Sequence, residues 1–214
     1  MRIFVTGSGT GVGKTYTTAQ WVRALRASGR SVTALKPVVS GLDTEPLAVS
    51  DPGVLLEAMD RPLSDVDLVS PWRFGPPISP DMAAARAGRT LTVAELAAYC
   101  RGIDDEVVLV EGVGGVMVPL SETELVLDWM VALGWPVVVV TGSYLGALSH
   151  TLTAVAVVEA AGLTVHAVLV SQSEEEPVPL EETVATVQRF CAAPVVAVPR
   201  GGWGPPPALR ATSP

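Results

Sequence analysis

The apolar residues of the chain fall into short dense runs. Residues 2–6, 32–35, 107–110, 137–140, 165–170 and 195–198 are rich in Val, Ile and Leu, and 137–140 is four valines in succession. None of these runs alternates apolar with polar positions, so each reads as a strand buried on both faces of a sheet. Helical signals lie between them. In 15–27, Trp21, Val22 and Leu25 share one face, and Ser28-Gly29 supplies the stop. Asp51-Pro52 opens 51–59 with an aspartate N-cap and a proline at the first helical position. Ser79-Pro80 repeats that pattern for 79–87, and Thr92 to Glu95 forms a capping box for a helix reaching Cys100. Residues 124–133, 149–161 and 180–190 complete the helices. Strands and helices alternate from end to end, which predicts one α/β domain over 1–200. Its expected core is a doubly wound, mostly parallel sheet with helices on both faces. The Gly- and Pro-rich segment 201–214 is expected to be loosely held. Glu174 to Glu176 reads as a solvated loop, His166 as a satisfied core histidine, and the five tryptophans as packing.

Composition narrows the classes. Of 214 residues, 49% are apolar and 17% charged, below the roughly 25% charged of a typical globular chain, which excludes disorder for the bulk of the molecule. Fourteen basic against 22 acidic residues give a net charge of −8, so no nucleic-acid partner is expected. Two cysteines, Cys100 and Cys191, make no disulfide framework and point to a reducing compartment. The mean hydropathy of +0.42 invites a membrane reading, with 151–170 the longest candidate. Gly162 divides that stretch into a helical and a strand-like half. A soluble cytoplasmic protein without a membrane partner is the expectation.

Only two of the basic residues are lysines, Lys14 and Lys36. Lys14 closes Gly7-Ser8-Gly9-Thr10-Gly11-Val12-Gly13-Lys14-Thr15, between the first strand and the first helix. A strand, a glycine loop and Lys-Thr at a helix start make a phosphate cradle. Backbone N–H groups and the helix dipole face the anion, the lysine reaches the outer phosphates, and the threonine hydroxyl serves Mg²⁺. With Ser8 at the usual first glycine, the spacing is a variant of the common motif. No dinucleotide-binding fingerprint fits.

Lys36 opens Lys36-Pro37-Val38-Val39-Ser40-Gly41 at the end of the second strand, on the carboxyl rim where open parallel sheets bind ligands. Two ammonium groups there would stabilise a transferring phosphoryl group; a solvent-facing loop cation is the other reading. Glu111, heading Glu111-Gly112-Val113-Gly114-Gly115, is a candidate metal ligand or a plain loop acid. Asp51 is a cap or a metal ligand, and His150 a cap or a residue of a substrate loop.

These motifs, in this order and joined to Leu145-Gly146-Ala147-Leu148-Ser149-His150, resemble the dethiobiotin synthetase family over about residues 1–199. The resemblance implies a homodimeric, Mg²⁺- and ATP-dependent ligase. It would close the ureido ring of dethiobiotin from 7,8-diaminopelargonic acid and CO₂, through a carbamate and a carbamic–phosphoric anhydride. It implies that Gly9 to Tyr16 bind the nucleotide phosphates, that Lys14 and Lys36 are catalytic, and that Thr15, Asp51 and Glu111 hold the metal. Gly112, Val113 and Gly114, then Ser171 and Gln172, then Val198, Pro199 and Arg200 would complete the nucleotide site. Thr10, Lys36, Ser40 and the stretch Leu145, Gly146, Ala147, Leu148 and Ser149 would bind the diamine acid, the last stretch across the dimer interface.

Departures accompany the likeness. Gly9 and Gly11 stand where many members have Asp and Glu, Ser171-Gln172 replaces an Asn-Asp pair, and Asp81 follows Ser79-Pro80 in place of a histidine. The usual C-terminal helix gives way to a Gly/Pro segment over 201–207. The altered pair leaves room for other nucleoside triphosphates beside ATP. A dimeric switch ATPase of the partitioning kind, acting on a protein partner, is the rival reading. Gly9 occupies the place of that group's early loop lysine.

Overall fold

The computed structural model describes residues 1–205 and 209. In chain order the elements are β1 (Arg2–Gly7), α1 (Lys14–Ala27), β2 (Val32–Leu35), β3 (Val38–Ser40), α2 (Asp51–Ala58), α3 (Val66–Val69), β4 (Trp72–Phe74) and α4 (Pro80–Arg86). There follow α5 (Val93–Arg101), β5 (Val107–Glu111), α6 (Val126–Leu133), β6 (Val137–Gly142), α7 (Ala147–Ala160), β7 (Val165–Ser171), α8 (Leu180–Gln188) and β8 (Val195–Val198).

Six strands form one parallel sheet in the order β2-β5-β1-β6-β7-β8. The missing alternation in the sequence has a direct cause: odd and even positions of each strand enter different cores. Ile3, Val5, Leu109, Val138 and Val140 pack with Trp21, Leu25 and Leu55 on one face. Phe4, Val108, Val110, Val137 and Val139 pack with Leu96, Trp129 and Val158 on the other. Phe4 and Trp129 meet edge to face with centroids 4.9 Å apart. Each fully buried aliphatic side chain contributes roughly 1.5–3 kcal/mol, so both faces of the central strands work to hold the sheet.

β1 lies between β5 and β6. The chain leaves β1 toward β2 on one side and reaches β6 on the other, so the switch in strand order falls at the carboxyl end of β1, where such sheets open a crevice. The glycine loop leaves the sheet at that point.

Several local expectations need correction. Asp51 is not the N-cap of α2: Ser50 holds that place and Asp51 is the first helical residue. α7 begins at Ala147, with Gly146 as a left-handed N-cap at φ 99°, so Ala147 to Ser149 are helical rather than loop. The short parallel pair β3–β4, Val38 to Ser40 against Trp72 to Phe74, was not foreseen. His166 is not satisfied: its Nε2 is buried without a partner among the described residues, and burial holds its pKa below the usual imidazole value. Glu176 is not a free loop acid, since it accepts bonds from Ser143 and Gln172. Thr92 caps α5 as expected, its Oγ1 accepting from Glu95 N at 3.3 Å, but the Glu95 carboxylate accepts the Thr92 hydroxyl at 2.6 Å rather than its backbone N–H, so the box is only half formed.

Of the loosely held segment expected over 201–214, residues 206–208 and 210–214 lie outside the described residues. Within them, Leu209 is buried in the core beside α1 and its carbonyl accepts the Trp21 indole N–H at 3.0 Å. Among the described residues no helix is long and apolar enough to cross a membrane.

Candidate active site

The glycine loop needs its glycines for space as well as for torsion. Gly13 caps α1 at φ 90°, ψ 20°, a left-handed conformation that costs an L-residue roughly 1–2 kcal/mol. A Cβ on Gly13 would also lie 2.4 Å from Ser171 Oγ, so the end of β7 seats directly against the loop. Lys14, the first residue of α1, is buried, and its Nζ donates to Gly9 O at 2.9 Å. Burial, then the neighbouring charge of Lys36, brings its pKa down to about 8. An anion entering the loop would raise that pKa again and could take over the Gly9 contact.

Lys36 follows β2 and is 3% exposed. Its Nζ donates to Glu111 Oε1 at 2.7 Å, to Gly112 O at 3.0 Å and to Asp51 Oδ2, also at 3.0 Å. Three ammonium protons meet three acceptors. Burial alone would lower the pKa of this lysine, but Glu111 and Asp51 outweigh it and raise the pKa above the ordinary value. The same geometry corrects Asp51. Freed from capping, its carboxylate reaches both Lys36 and Thr15. Burial opposes its ionisation, yet Lys36 and the Thr15 hydroxyl prevail and hold its pKa below the usual carboxylate value.

Thr15 Oγ1 lies 2.7 Å from both Asp51 Oδ1 and Glu111 Oε1. A hydroxyl has one proton, so it bonds one carboxylate at a time. Glu111 ends β5 with no exposed surface, and its second oxygen, Oε2, is buried without a partner among the described residues. An orphaned carboxylate oxygen beside a second carboxylate and a hydroxyl is a hard, oxygen-only donor set. It suits Mg²⁺, which takes one or two carboxylates and fills its octahedron with water and phosphate oxygens. Three or more clustered His, Cys, Asp or Glu side chains are not found among the described residues, so a cation here needs those further oxygens.

Lys14, Thr15, Lys36 and Asp51 line one cavity of about 330 Å³, joined by Thr10, Ser40, Val113 and Gly114, while Glu111, with no exposed surface, lies behind Thr15 and Lys36. A second cavity of about 430 Å³ abuts it through the shared Gly11, Gly13 and Tyr16, and continues along Ser171, Gln172 and Arg200. Val12, though mostly buried, lines this second cavity as well. Val198 and Pro199 frame the space through their carbonyls. The Val198 carbonyl accepts from Gln172 N, and the Pro199 carbonyl accepts from Tyr16 OH. Leu145 to Ser149 do not line the Lys14–Lys36 cavity. Leu145 is 86% exposed, while His150, paired through Nδ1 with Tyr144 OH at 2.9 Å, closes a third, largely apolar cavity on the far side of the glycine loop.

Comparison with known proteins decides the family. A family model described as "AAA domain" matches residues 1–200. The chain is 45% identical over 213 residues to "ATP-dependent dethiobiotin synthetase BioD" of Methylobacterium nodulans, covering 95% of each. It is 47% identical over 209 residues to the protein of that name from Phenylobacterium zucineum, covering 94% of this chain and 89% of the relative. The chain belongs to the dethiobiotin synthetase family. Among solved structures, the "MinC:MinD cell division protein complex" of Aquifex aeolicus aligns with TM-score 0.56 at 15% identity, over 92% of this chain and 81% of that one. That likeness shows the fold alone.

As a dethiobiotin synthetase family member, the chain brings together Lys14, Thr15, Lys36, Asp51 and Glu111 from four separate segments. Sequence reasoning missed Glu176 behind Gln172, and it named Gly112 and Tyr16 without their contacts, the Gly112 carbonyl beneath Lys36 and the Tyr16 hydroxyl holding Pro199. None carries a spacing signal, because each acts through a contact between distant segments.

Proposed function

We propose that this protein closes the ureido ring of dethiobiotin from 7,8-diaminopelargonic acid and CO₂, converting ATP to ADP and phosphate. The observation that carries the reading is the convergence of two buried ammonium groups and two carboxylates around Thr15, at the helix start that follows the glycine loop. One substrate amine adds to CO₂ and loses a proton, giving a carbamate. A carbamate oxygen attacks the γ-phosphorus and ADP leaves. The second amine then attacks the carbonyl carbon of the mixed anhydride, and the C–O bond breaks to release phosphate.

The residues divide this work by position. The loop N–H groups and Lys14 hold the outer phosphates. Lys36 faces the place where negative charge gathers as the phosphoryl group moves, and a preorganised ammonium there needs no solvent rearrangement. Mg²⁺, held by Thr15, Asp51 and Glu111, would supply charge neutralisation at the phosphate oxygens. Were Asp51 and Glu111 to hold the cation, Lys36 Nζ would have protons to offer the phosphoryl group. Thr10 and Ser40 border the diamine side; Ser40 Oγ is buried without a partner among the described residues. A homodimer would bring Leu145 to Ser149 of a second copy to the substrate carboxylate, and the enzyme would be cytoplasmic.

ADP formation, followed with the diamine acid and bicarbonate each present or omitted, and with CTP and GTP beside ATP, tests the reading. ADP should appear only when both co-substrates are present, with dethiobiotin formed in equal amount. ADP release that ignores the diamine and rises with a protein partner would overturn it.

A further inference from the structure

The larger cavity has one polar side chain whose hydrogen-bonding capacity is visibly committed. Gln172 Nε2 donates to Glu176 Oε2 at 2.6 Å. A carboxylate only accepts, so the amide nitrogen must face it, and the amide oxygen is thereby turned the other way. That oxygen accepts the backbone N–H of Arg200 at 3.0 Å. Arg200 and Gly201 form the wall of the cavity opposite the glycine loop. Gln172 therefore commits one donor and one acceptor of its amide to fixing the wall, and these two bonds set the orientation of the side chain.

Glu176 is itself held. Its Oε1 accepts from Ser143 Oγ at 3.0 Å. Ser143 and Ser173 are locked by a reciprocal pair: Ser143 N donates to Ser173 Oγ, and Ser173 N to Ser143 Oγ, both at 2.9 Å. The carboxylate thus bridges the ends of β6 and β7 and, through Gln172, reaches the segment after β8. On the α1 side, Tyr16 OH donates to Pro199 O at 3.0 Å and accepts from Gly202 N at 3.2 Å. The wall is pinned from two directions, by Gln172 and by Tyr16.

We propose that Glu176 is a positioning residue that, through Gln172, sets the wall of the nucleoside pocket, and that Gln172 does not read the base. The proposal rests on the reading of this cavity as the nucleotide site. It separates affinity from selectivity. Loosening the wall weakens every nucleoside triphosphate alike, because the wall meets them through its position. Removing a base reader instead changes the ratio between bases.

The experiment is calorimetric titration of the Mg²⁺ complexes of ATP, GTP and CTP into wild type, Glu176→Ala, Glu176→Gln and Gln172→Ala. Glu176→Ala and Gln172→Ala are expected to raise all three Kd values by a common factor of about fivefold, the size of one lost hydrogen bond. Glu176→Gln should stay within about twofold of wild type, because its amide oxygen accepts from Gln172 and its amide N–H₂ can donate to Ser143 Oγ. Unchanged Kd values in Glu176→Ala would overturn the positioning role. A shift of more than about threefold in the ATP-to-CTP or ATP-to-GTP ratio in Gln172→Ala would show that Gln172 reads the base. Wild-type protein that binds none of the three would sink the site reading itself, a failure distinct from either.

Discussion

Replacing Lys36 with alanine is expected to lower kcat by ~10²-fold or more, the loss typical of a charge-stabilising contact made in the transition state. KM for ATP should move far less, because Lys14 and the loop N–H groups still hold the phosphates. Arginine should not restore turnover. Nζ sits 3% exposed among three acceptors at 2.7 to 3.0 Å, a socket sized for a compact ammonium and not for a planar fork. Alanine also strips the fully buried Glu111 of its cation, and breaking a buried pair in this way costs roughly 3–5 kcal/mol. A thermal melt of each variant separates the two effects: a folded Lys36→Arg protein with ~10²-fold lower kcat isolates the chemical role. Near-wild-type turnover in both variants would remove Lys36 from the reaction.

Glu111→Gln is the second large effect. The substitution keeps shape and burial but removes one charge from a site built on two carboxylates and a hydroxyl. The Mg²⁺ concentration for half-maximal rate should rise by about 10–100-fold, the range seen when groups supporting a metal site are lost. Turnover at low Mg²⁺ should fall in step, and excess Mg²⁺ should recover part of it. The amide cannot form an ion pair with Lys36, though Asp51 remains to do so. The melting temperature should therefore fall less than in Lys36→Ala. A Mg²⁺ dependence equal to wild type would take Glu111 out of the metal site.

Much of this architecture is legible before any coordinates. The strands of the main sheet show as unbroken apolar runs because neighbouring residues enter separate cores, as Val137 and Val138 do. The glycine loop is legible because its function is local: strand, glycines, Lys-Thr and helix stand in sequence, and backbone N–H groups do the binding. Asp51 was ambiguous for the opposite reason. Aspartate before proline is the signature of a helix start, and nothing in the sequence says that Ser50 takes the cap while Asp51 turns to Lys36. β3 and β4 stay hidden because three-residue strands carry no period, and their pairing joins Val38 to Trp72 across both α2 and α3. Glu176 is concealed in a run of three acids that is solvated in most proteins. Its partners, Ser143 and Gln172, come from the ends of two strands that only the fold makes neighbours.

A crystal structure with Mg²⁺, a non-hydrolysable ATP analogue and the diamine acid tests the central claim most directly. The terminal phosphate should lie within hydrogen-bonding distance of both lysine nitrogens, Lys14 and Lys36, with the cation bridging Thr15 and at least one of Asp51 and Glu111. A terminal phosphate beyond the reach of Lys36, or a nucleotide seated away from the glycine loop, would contradict it.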